Sequence, residues 1–187
     1  MKEDISSYFD KTIALSQKTK AECLPLIEEI SGEILDSLRN GGKIVLFGNG
    51  GSAADSQHIA AEFVNRFKLE RKAIPALALS TDTSILTAIA NDYSYENVFE
   101  RQVEALVKKE DIVIAITTSG KSKNVLNALK KAKELGAKTV AFTGSGGTQG
   151  HADIELKIPS SETPRIQEMH SICGHIICEL VENELFK

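Results

Sequence analysis

Apolar and polar positions follow two different periods along this chain. Four apolar residues recur at helical spacing within residues 5–38, namely Ile27, Ile30, Ile34 and Leu38. Pro25 predicts a break between two helices in this segment, and residues 40–42, Asn-Gly-Gly, predict its C-cap. Beyond this point short β-branched or apolar runs begin to alternate with segments of helical period.

Five short runs of β-branched and other apolar residues predict strands, at residues 44–47, 76–79, 112–116, 139–143 and 154–158. Helical patterns separate and follow them, near 52–68, 83–107, 122–135 and 164–186. This alternation predicts an α/β fold: a doubly wound, five-stranded parallel sheet of the flavodoxin-like type, flanked by helices. We expect a single domain over residues 1–187, with a helical segment at about 1–40 and an α/β core at about 41–187.

Composition narrows the class of protein. The 187 residues are 42% hydrophobic, which is enough for a real core, and the net charge of −4 provides no basic surface for nucleic acid. No run of about 18 apolar residues occurs, and the polar start MKEDISSYFD is unlike a signal peptide. Three cysteines without a CxxC pair argue against a disulfide or thiolate-zinc framework. We expect a cytoplasmic protein that binds neither nucleic acid nor membrane.

Residues 43–62, KIVLFGNGGSAADSQHIAAE, carry the clearest chemical signal. A strand enters a helix through Gly48, Gly50 and Gly51, which let bare N–H groups approach an anion at the helix N-terminus. His58 and Glu62 follow at i and i+4 on one helix face. The stretch also fits the Gly/Ala form of the dinucleotide fingerprint, but no acidic strand end follows about 20 residues later, so dinucleotide binding is disfavoured. Tight packing and a solvated His–Glu pair are the structural alternatives.

A second loop rich in hydroxyl groups follows the third predicted strand, at residues 117–122, Thr-Thr-Ser-Gly-Lys-Ser. Its end resembles a phosphate-binding NTPase loop, but the first glycine of that motif would fall at Ala115, inside the strand. The loop suits a phosphate held by hydroxyl and backbone donors, and a serine-capped helix is the alternative. Because the carboxyl ends of parallel strands meet at one edge, we expect both loops to converge.

Four motifs together carry a family resemblance: GNGGSAADSQHIAAE, AIANDYS, TTSGKS and RIQEMH with His175 beyond it. Over nearly its whole length the chain resembles sugar-isomerase (SIS) domains and, more closely, the phosphoheptose isomerase family. That family interconverts sedoheptulose 7-phosphate and D-glycero-D-manno-heptose 7-phosphate for lipopolysaccharide or capsule heptose. The resemblance implies an aldose–ketose isomerase that acts through an enediolate on a small sugar phosphate and forms a homotetramer with active sites at subunit interfaces.

The resemblance also implies roles for individual residues. One zinc ion per active site would be bound by four side chains, those of His58, Glu62, Gln167 and His175. Substrate contacts would come from Asn49, Gly50, Gly51, Ser52, Glu62, Asn91, Asp92, Thr117, Thr118, Ser119, Ser122 and Gln167. Glu62 would be the catalytic base and His175 the catalytic acid. Imidazole nitrogen and carboxylate oxygen are common zinc ligands, whereas an amide oxygen is uncommon.

Spacing adds an inference about assembly. If Gln167 and His175 share one straight helix, eight residues separate them by about 12 Å of rise and about 80° of rotation. Both can hardly bind one ion from the same chain. Either the last helix begins after Gln167 or, as we favour, the metal site draws on two subunits, with N-terminal helices packing in the oligomer.

The start of the last helix departs from the family pattern. Thr163 is a candidate N-cap and Pro164 fits the first helical position, where many relatives carry a small or acidic residue. A non-catalytic SIS protein that binds a replication initiator or senses a phosphosugar is the alternative function. The initiator-binding relatives lack the catalytic carboxylate and histidine, so the presence of Glu62 and His175 favours the enzyme.

Overall fold

The N-terminal helix is continuous in the computed structural model, which describes residues 2–187. This helix, α1, covers Lys2–Arg39 and contains Pro25, so the predicted break there is wrong. Pro25 is exposed, and so is Ala21, whose carbonyl loses its helical partner and can bind water instead. The cost of a proline inside a helix, roughly 3 kcal/mol, is offset on the opposite face by four buried apolar side chains, Cys23, Ile27, Ile30 and Ile34.

Strands and helices alternate beyond α1. The strands are β1 (Ile44–Gly48), β2 (Ala76–Ala78), β3 (Ile112–Thr117), β4 (Lys138–Thr143) and β5 (Ile154–Lys157). The helices are α2 (Gly51–Val64), α3 (Thr83–Asp92), α4 (Glu100–Leu106), α5 (Lys123–Glu134) and α6 (Thr163–Phe186). All strand pairs are parallel and the order is β2-β1-β3-β4-β5, which confirms the predicted doubly wound, five-stranded sheet. The strand order reverses between β1 and β3, where ligands bind in such sheets.

Helices bury both faces of the sheet. Successive strand residues point to opposite faces, so Leu46 packs in a core with residues of α1, α2 and α6, while Val45 packs in a second core with α4 and α5. The strand residues of β1 and β3 are all buried. Within residues 2–187, no helix has the length and apolar character needed to cross a membrane.

The predicted helix over residues 83–107 is interrupted. α3 ends at Asp92, a short 3-10 helix covers Tyr95–Asn97, and α4 follows. The hydroxyl of Ser94 accepts a hydrogen bond from the Glu96 backbone N–H at 3.2 Å and donates one to the Asn97 side chain at 2.8 Å. Such local side-chain bonds replace helical backbone bonds, which explains why the apolar periodicity alone overestimates the length of this helix.

The last helix begins one residue earlier than the predicted cap implies. Glu162 is its N-cap, Thr163 is its first residue and Pro164 lies in the first turn. α6 therefore contains both Gln167 and His175. The alternative in which this helix begins after Gln167 is therefore wrong, and the predicted helix near 164–186 is confirmed.

Candidate functional site

Two helices that run side by side in the same direction, α2 and α6, position the reactive side chains. The Ser171 hydroxyl donates to Asp55 at 3.0 Å, and these residues are 116 positions apart in the sequence. His175 meets His58 one turn further along, at a separation of 117 positions. Because both helices rise by about 1.5 Å per residue, this nearly constant offset keeps the two helices side by side along this turn.

His58, Glu62 and His175 form a compact group in a single chain. The Nε2 atoms of the two histidines lie 2.7 Å apart, and Nε2 of His58 lies 3.5 Å from Oε1 of Glu62. One candidate ligand atom from each of the three residues lies within 4.8 Å of the others. The His58 side chain is half exposed and that of Glu62 is 23% exposed, so a small molecule can reach the group.

The donor set of this group fits zinc in its chemistry. Two imidazole nitrogens and one carboxylate oxygen are three of the ligand types that zinc prefers. Two nitrogens bound to one tetrahedral zinc lie about 3.3 Å apart, whereas those of His58 and His175 are 2.7 Å apart and share a hydrogen bond. The two rings would have to move apart slightly to hold the ion.

The turn after β1 presents backbone groups where the sequence predicts them. Gly50 is the N-cap of α2 with φ at 57°, a left-handed conformation that favours glycine, and it provides no capping side chain. The Ser52 N–H donates to the Asn49 carbonyl at 3.0 Å, and the Ser52 side chain is buried. Ser52 therefore presents neither a free N–H nor an exposed hydroxyl at this turn.

The loop after β3 exposes hydroxyl groups at the start of α5. Thr117 is buried at the end of β3, Thr118 is half-buried and Ser119 is exposed. Ser122 is the N-cap of α5, and its side chain makes no capping bond within the described chain. By contrast, Asp82 caps α3 in the usual way, with its carboxylate accepting from the Ile85 N–H at 2.9 Å. The helix starts at α2 and α5 thus keep backbone donors available for an anion.

Side chains join the two loops. The amides of Asn49 and Asn124 exchange two hydrogen bonds of 2.9 Å, and the Tyr95 hydroxyl donates to Asn49 at 3.3 Å. The predicted convergence of the loops is thereby confirmed. The sequence does not predict Asn124 or Tyr95 as site residues, although Asn124 gives a signal: it is a polar residue on the apolar face of α5, one turn before the buried Ala128.

Asn91 and Asp92 lie at the end of α3, where both are exposed. The Asn91 amide donates to the Asp92 carboxylate at 2.8 Å. Three residues further on, Tyr95 reaches Asn49. Asn91 and Asp92 are therefore linked to the β1 turn through the short segment that leads to Tyr95.

Gln167 lies beside the β1 turn and is separated along α6 from the histidine pair. A Cβ atom placed on Gly51 would be 2.2 Å from the Gln167 Nε2 atom, so the amide packs directly against the glycine. Along α6, about 12 Å separates Gln167 from His175. Within one chain, Gln167 joins the predicted substrate contacts rather than the group of His58, Glu62 and His175.

Comparison with known proteins identifies the class of protein to which this fold belongs. Residues 7–144 match the SIS domain family, and the chain belongs to it. A phosphoheptose isomerase of Clostridium acetobutylicum is 49% identical over 190 residues, covering all of this chain and 97% of the relative. That of Aquifex aeolicus is 59% identical over 158 residues, or 83% of each chain. A solved phosphoheptose isomerase structure from Francisella tularensis is 38% identical, covers 97% of both chains and has a TM-score of 0.93. Within the SIS proteins, this chain therefore belongs to the phosphoheptose isomerase family.

Proposed function

We propose that this protein is an aldose–ketose isomerase that converts sedoheptulose 7-phosphate to D-glycero-D-manno-heptose 7-phosphate, for lipopolysaccharide or capsule heptose. The observation that carries the proposal is that Glu62, His58 and His175 lie together in an accessible group. This group begins two turns along α2 from the N-terminus of that helix, which has no side-chain cap. The names of its relatives support the same activity.

The reaction moves a proton from the carbon beside a carbonyl to the neighbouring carbon through an enediolate. Glu62 would take and return this carbon proton as the general base, and His175 would move the proton between the two oxygens. The Nε2 atoms of His58 and His175 share a hydrogen bond at 2.7 Å, which orients the two rings relative to each other. Ser119, Ser122 and the backbone N–H groups at the start of α5 would bind the phosphate.

Zinc is the proposed cofactor, with His58, Glu62 and His175 as ligands from one chain and Gln167 as the fourth. When bound, zinc would supply Lewis-acid stabilisation of negative charge on the substrate oxygens. A carboxylate bound to a cation is a weaker base, so we assign Glu62 first to proton transfer and second to metal binding. Because the Gln167 of the same chain packs on Gly51, we propose that two subunits complete the metal site.

Exposed apolar residues support assembly into a homotetramer, which we place in the cytoplasm. On α1, four large side chains at helical spacing are each more than half exposed: Ile5, Tyr8, Phe9 and Ile13. A groove of about 550 Å³ between α1 and α6 adds Leu24, Ile172, Ile176 and Leu180. Apolar surface of this kind is typical of contacts between protein chains. A dilution series tests the assembly, because a fully active, zinc-loaded monomer would contradict it.

The decisive experiment incubates the purified protein with sedoheptulose 7-phosphate and follows the heptose product by NMR, with and without a chelator. Glu62→Gln should abolish turnover while the fold and phosphosugar binding persist, and retained turnover would remove Glu62 as the base. The alternative function, a non-catalytic SIS protein, predicts binding to a replication initiator or to a phosphosugar with no turnover by the unmodified protein.

A further inference from the structure

A buried ion pair lies two turns beyond His175 along α6. The Nε atom of Arg71 is 2.9 Å from Oε1 of Glu182, and each side chain is only 1% exposed. Buried charges are costly unless they are paired and hydrogen-bonded. The partners of these two side chains therefore indicate what the pair holds in place.

Arg71 binds the end of the helix that carries Glu62. Its Nη2 donates to the Glu62 carbonyl at 2.9 Å, and its Nη1 donates to the Phe63 carbonyl at 2.8 Å. α2 ends at Val64, so these carbonyls belong to the last turn, which lacks helical partners. A positive charge is also favourable at the C-terminal end of a helix. Arg71 thus fixes the backbone of Glu62 itself.

Glu182 binds the loop that packs on His175. Its carboxylate accepts hydrogen bonds from the backbone N–H groups of three successive residues at 2.7 to 2.9 Å: Phe67, Lys68 and Leu69. The Phe67 ring centre lies 5.5 Å from that of His175. Burial alone would raise the pKa of Glu182, but these backbone bonds and Arg71 lower the pKa to about 2, so the carboxylate remains charged.

We propose that Arg71 and Glu182 are positioning residues that set the distance between Glu62 and His175 for isomerisation. Glu182 and His175 are seven residues apart on α6, which places them on nearly the same helix face. Arg71 connects this face to the end of α2, while Phe67 fills the space beside His175. One ion pair thereby fixes both helices that carry the reacting groups. The inference rests on the roles proposed above for Glu62 and His175.

A positioning role and a purely structural role differ in their kinetics. A shift of about 1 Å between reacting groups can cost about 100-fold in rate. The loop proposed to bind the phosphate, residues 117–122, lies at the end of β3 and not on the two helices that the ion pair joins, so substrate binding should survive such a shift. Loss of positioning should therefore lower kcat and leave KM nearly unchanged. A purely structural pair would lower the unfolding temperature without changing kcat of the folded enzyme.

The test compares Arg71→Lys and Glu182→Gln with a matched control, Glu179→Gln. Lysine keeps the charge but has a single nitrogen in place of the three with which Arg71 contacts Glu182 and the two α2 carbonyls, and glutamine presents an amide to the loop N–H groups. Glu179 lies on the same helix and pairs with Lys68 of the same loop at 2.7 Å, but its side chain is 41% exposed. Below the unfolding temperature, per folded protein, kcat should fall about tenfold to 100-fold in both variants, with KM within about twofold. The control should match the unmodified enzyme.

A double variant separates stability from positioning. Arg71→Met with Glu182→Leu removes both charges together, so neither is left buried and unpaired, although the loop N–H groups and the α2 carbonyls lose their partners. A low kcat per folded protein in this variant would support the proposal, whereas an unchanged kcat in this variant or in Arg71→Lys would overturn it. If the unmodified protein itself shows no turnover, the proposed function fails instead. If the unmodified protein is active and Glu62→Gln is inactive, the proposed function stands. A full kcat in Arg71→Lys would then refute only the positioning role.

Discussion

Replacing Gly51 with alanine tests whether Gln167 belongs to the substrate site. Gly51 is the first residue of α2, and its φ lies outside the left-handed region, so alanine can adopt the same backbone conformation. The added Cβ would lie 2.2 Å from Nε2 and 3.0 Å from Cδ of Gln167, whereas ordinary contacts begin at 3.4 Å. The amide of Gln167 must therefore move by about 1 Å.

This movement should cost activity much more than stability. Gln167 is a flexible side chain whose end can turn away, and alanine favours a helix by up to about 1 kcal/mol relative to glycine. We expect Gly51→Ala to keep the free energy of unfolding within about 1 kcal/mol. In the NMR assay with sedoheptulose 7-phosphate, kcat/KM should fall about tenfold to 100-fold, as expected for a displacement of this size.

Gly32→Ala is the matched control. Gly32 is exposed within α1, and among residues 2–187 no atom outside its chain neighbours and the adjoining helix backbone lies within 4 Å of the Cβ that the substitution adds. This variant should gain about 0.5–1 kcal/mol in unfolding free energy and keep its kcat/KM. An unchanged kcat/KM in Gly51→Ala, with the stability as expected, would refute the placement of Gln167 in the substrate site.

Three further measurements probe other parts of the structure. Ser119→Ala should raise KM several-fold and keep kcat within about twofold, because a phosphate is a remote binding group; an unaltered KM would argue against this loop as the phosphate site. Asn124→Ala should raise KM about tenfold, because it removes the two hydrogen bonds that orient the Asn49 side chain, and these bonds together contribute about 1.4 kcal/mol or more. A normal KM would show that Asn49 needs no such support. Burial lowers the pKa of His170 to about 4. In the unfolded chain this histidine has a pKa near 6.5, so the unfolded state binds the proton first as the pH falls. The free energy of unfolding should therefore decrease between pH 6.5 and about 4, by about 3 kcal/mol in total. When measured by urea unfolding, the free energy of unfolding should depend less on pH in His170→Leu than in the unmodified protein. An equal dependence on pH in both proteins would contradict the low pKa of His170.

The fold is largely readable from the sequence, because its strands are short β-branched runs separated by amphipathic helices. Local patterns fail at two places. Pro25 predicts a helix end, but it lies on the exposed face of α1, and packing of the opposite face on the core keeps the helix continuous. The segment 83–107 has helical periodicity throughout, yet Ser94 forms local bonds that interrupt the helix.

The candidate site is readable only in part. His58 and Glu62 are neighbours because they are one turn apart on α2, which spacing alone predicts. The approach of His175 depends on how α6 packs against α2, and no local pattern sets that offset. Arg71 lies in a loop with no periodicity, so its bonds to Glu182 and to the end of α2 emerge only from the three-dimensional structure.

The nearly constant offset between α2 and α6 has a consequence for changes in chain length. One residue inserted within α2 between Gly51 and His58 would rotate the residues beyond it by about 100° and advance them by about 1.5 Å. The pair of His58 and His175 would then part, although every residue type is retained. The exposed residues 149–151 lie in a loop between the two helices in sequence, so an insertion there leaves the helix pairing intact. A library of single-residue insertions should therefore lose isomerisation in both helices and keep it in this loop.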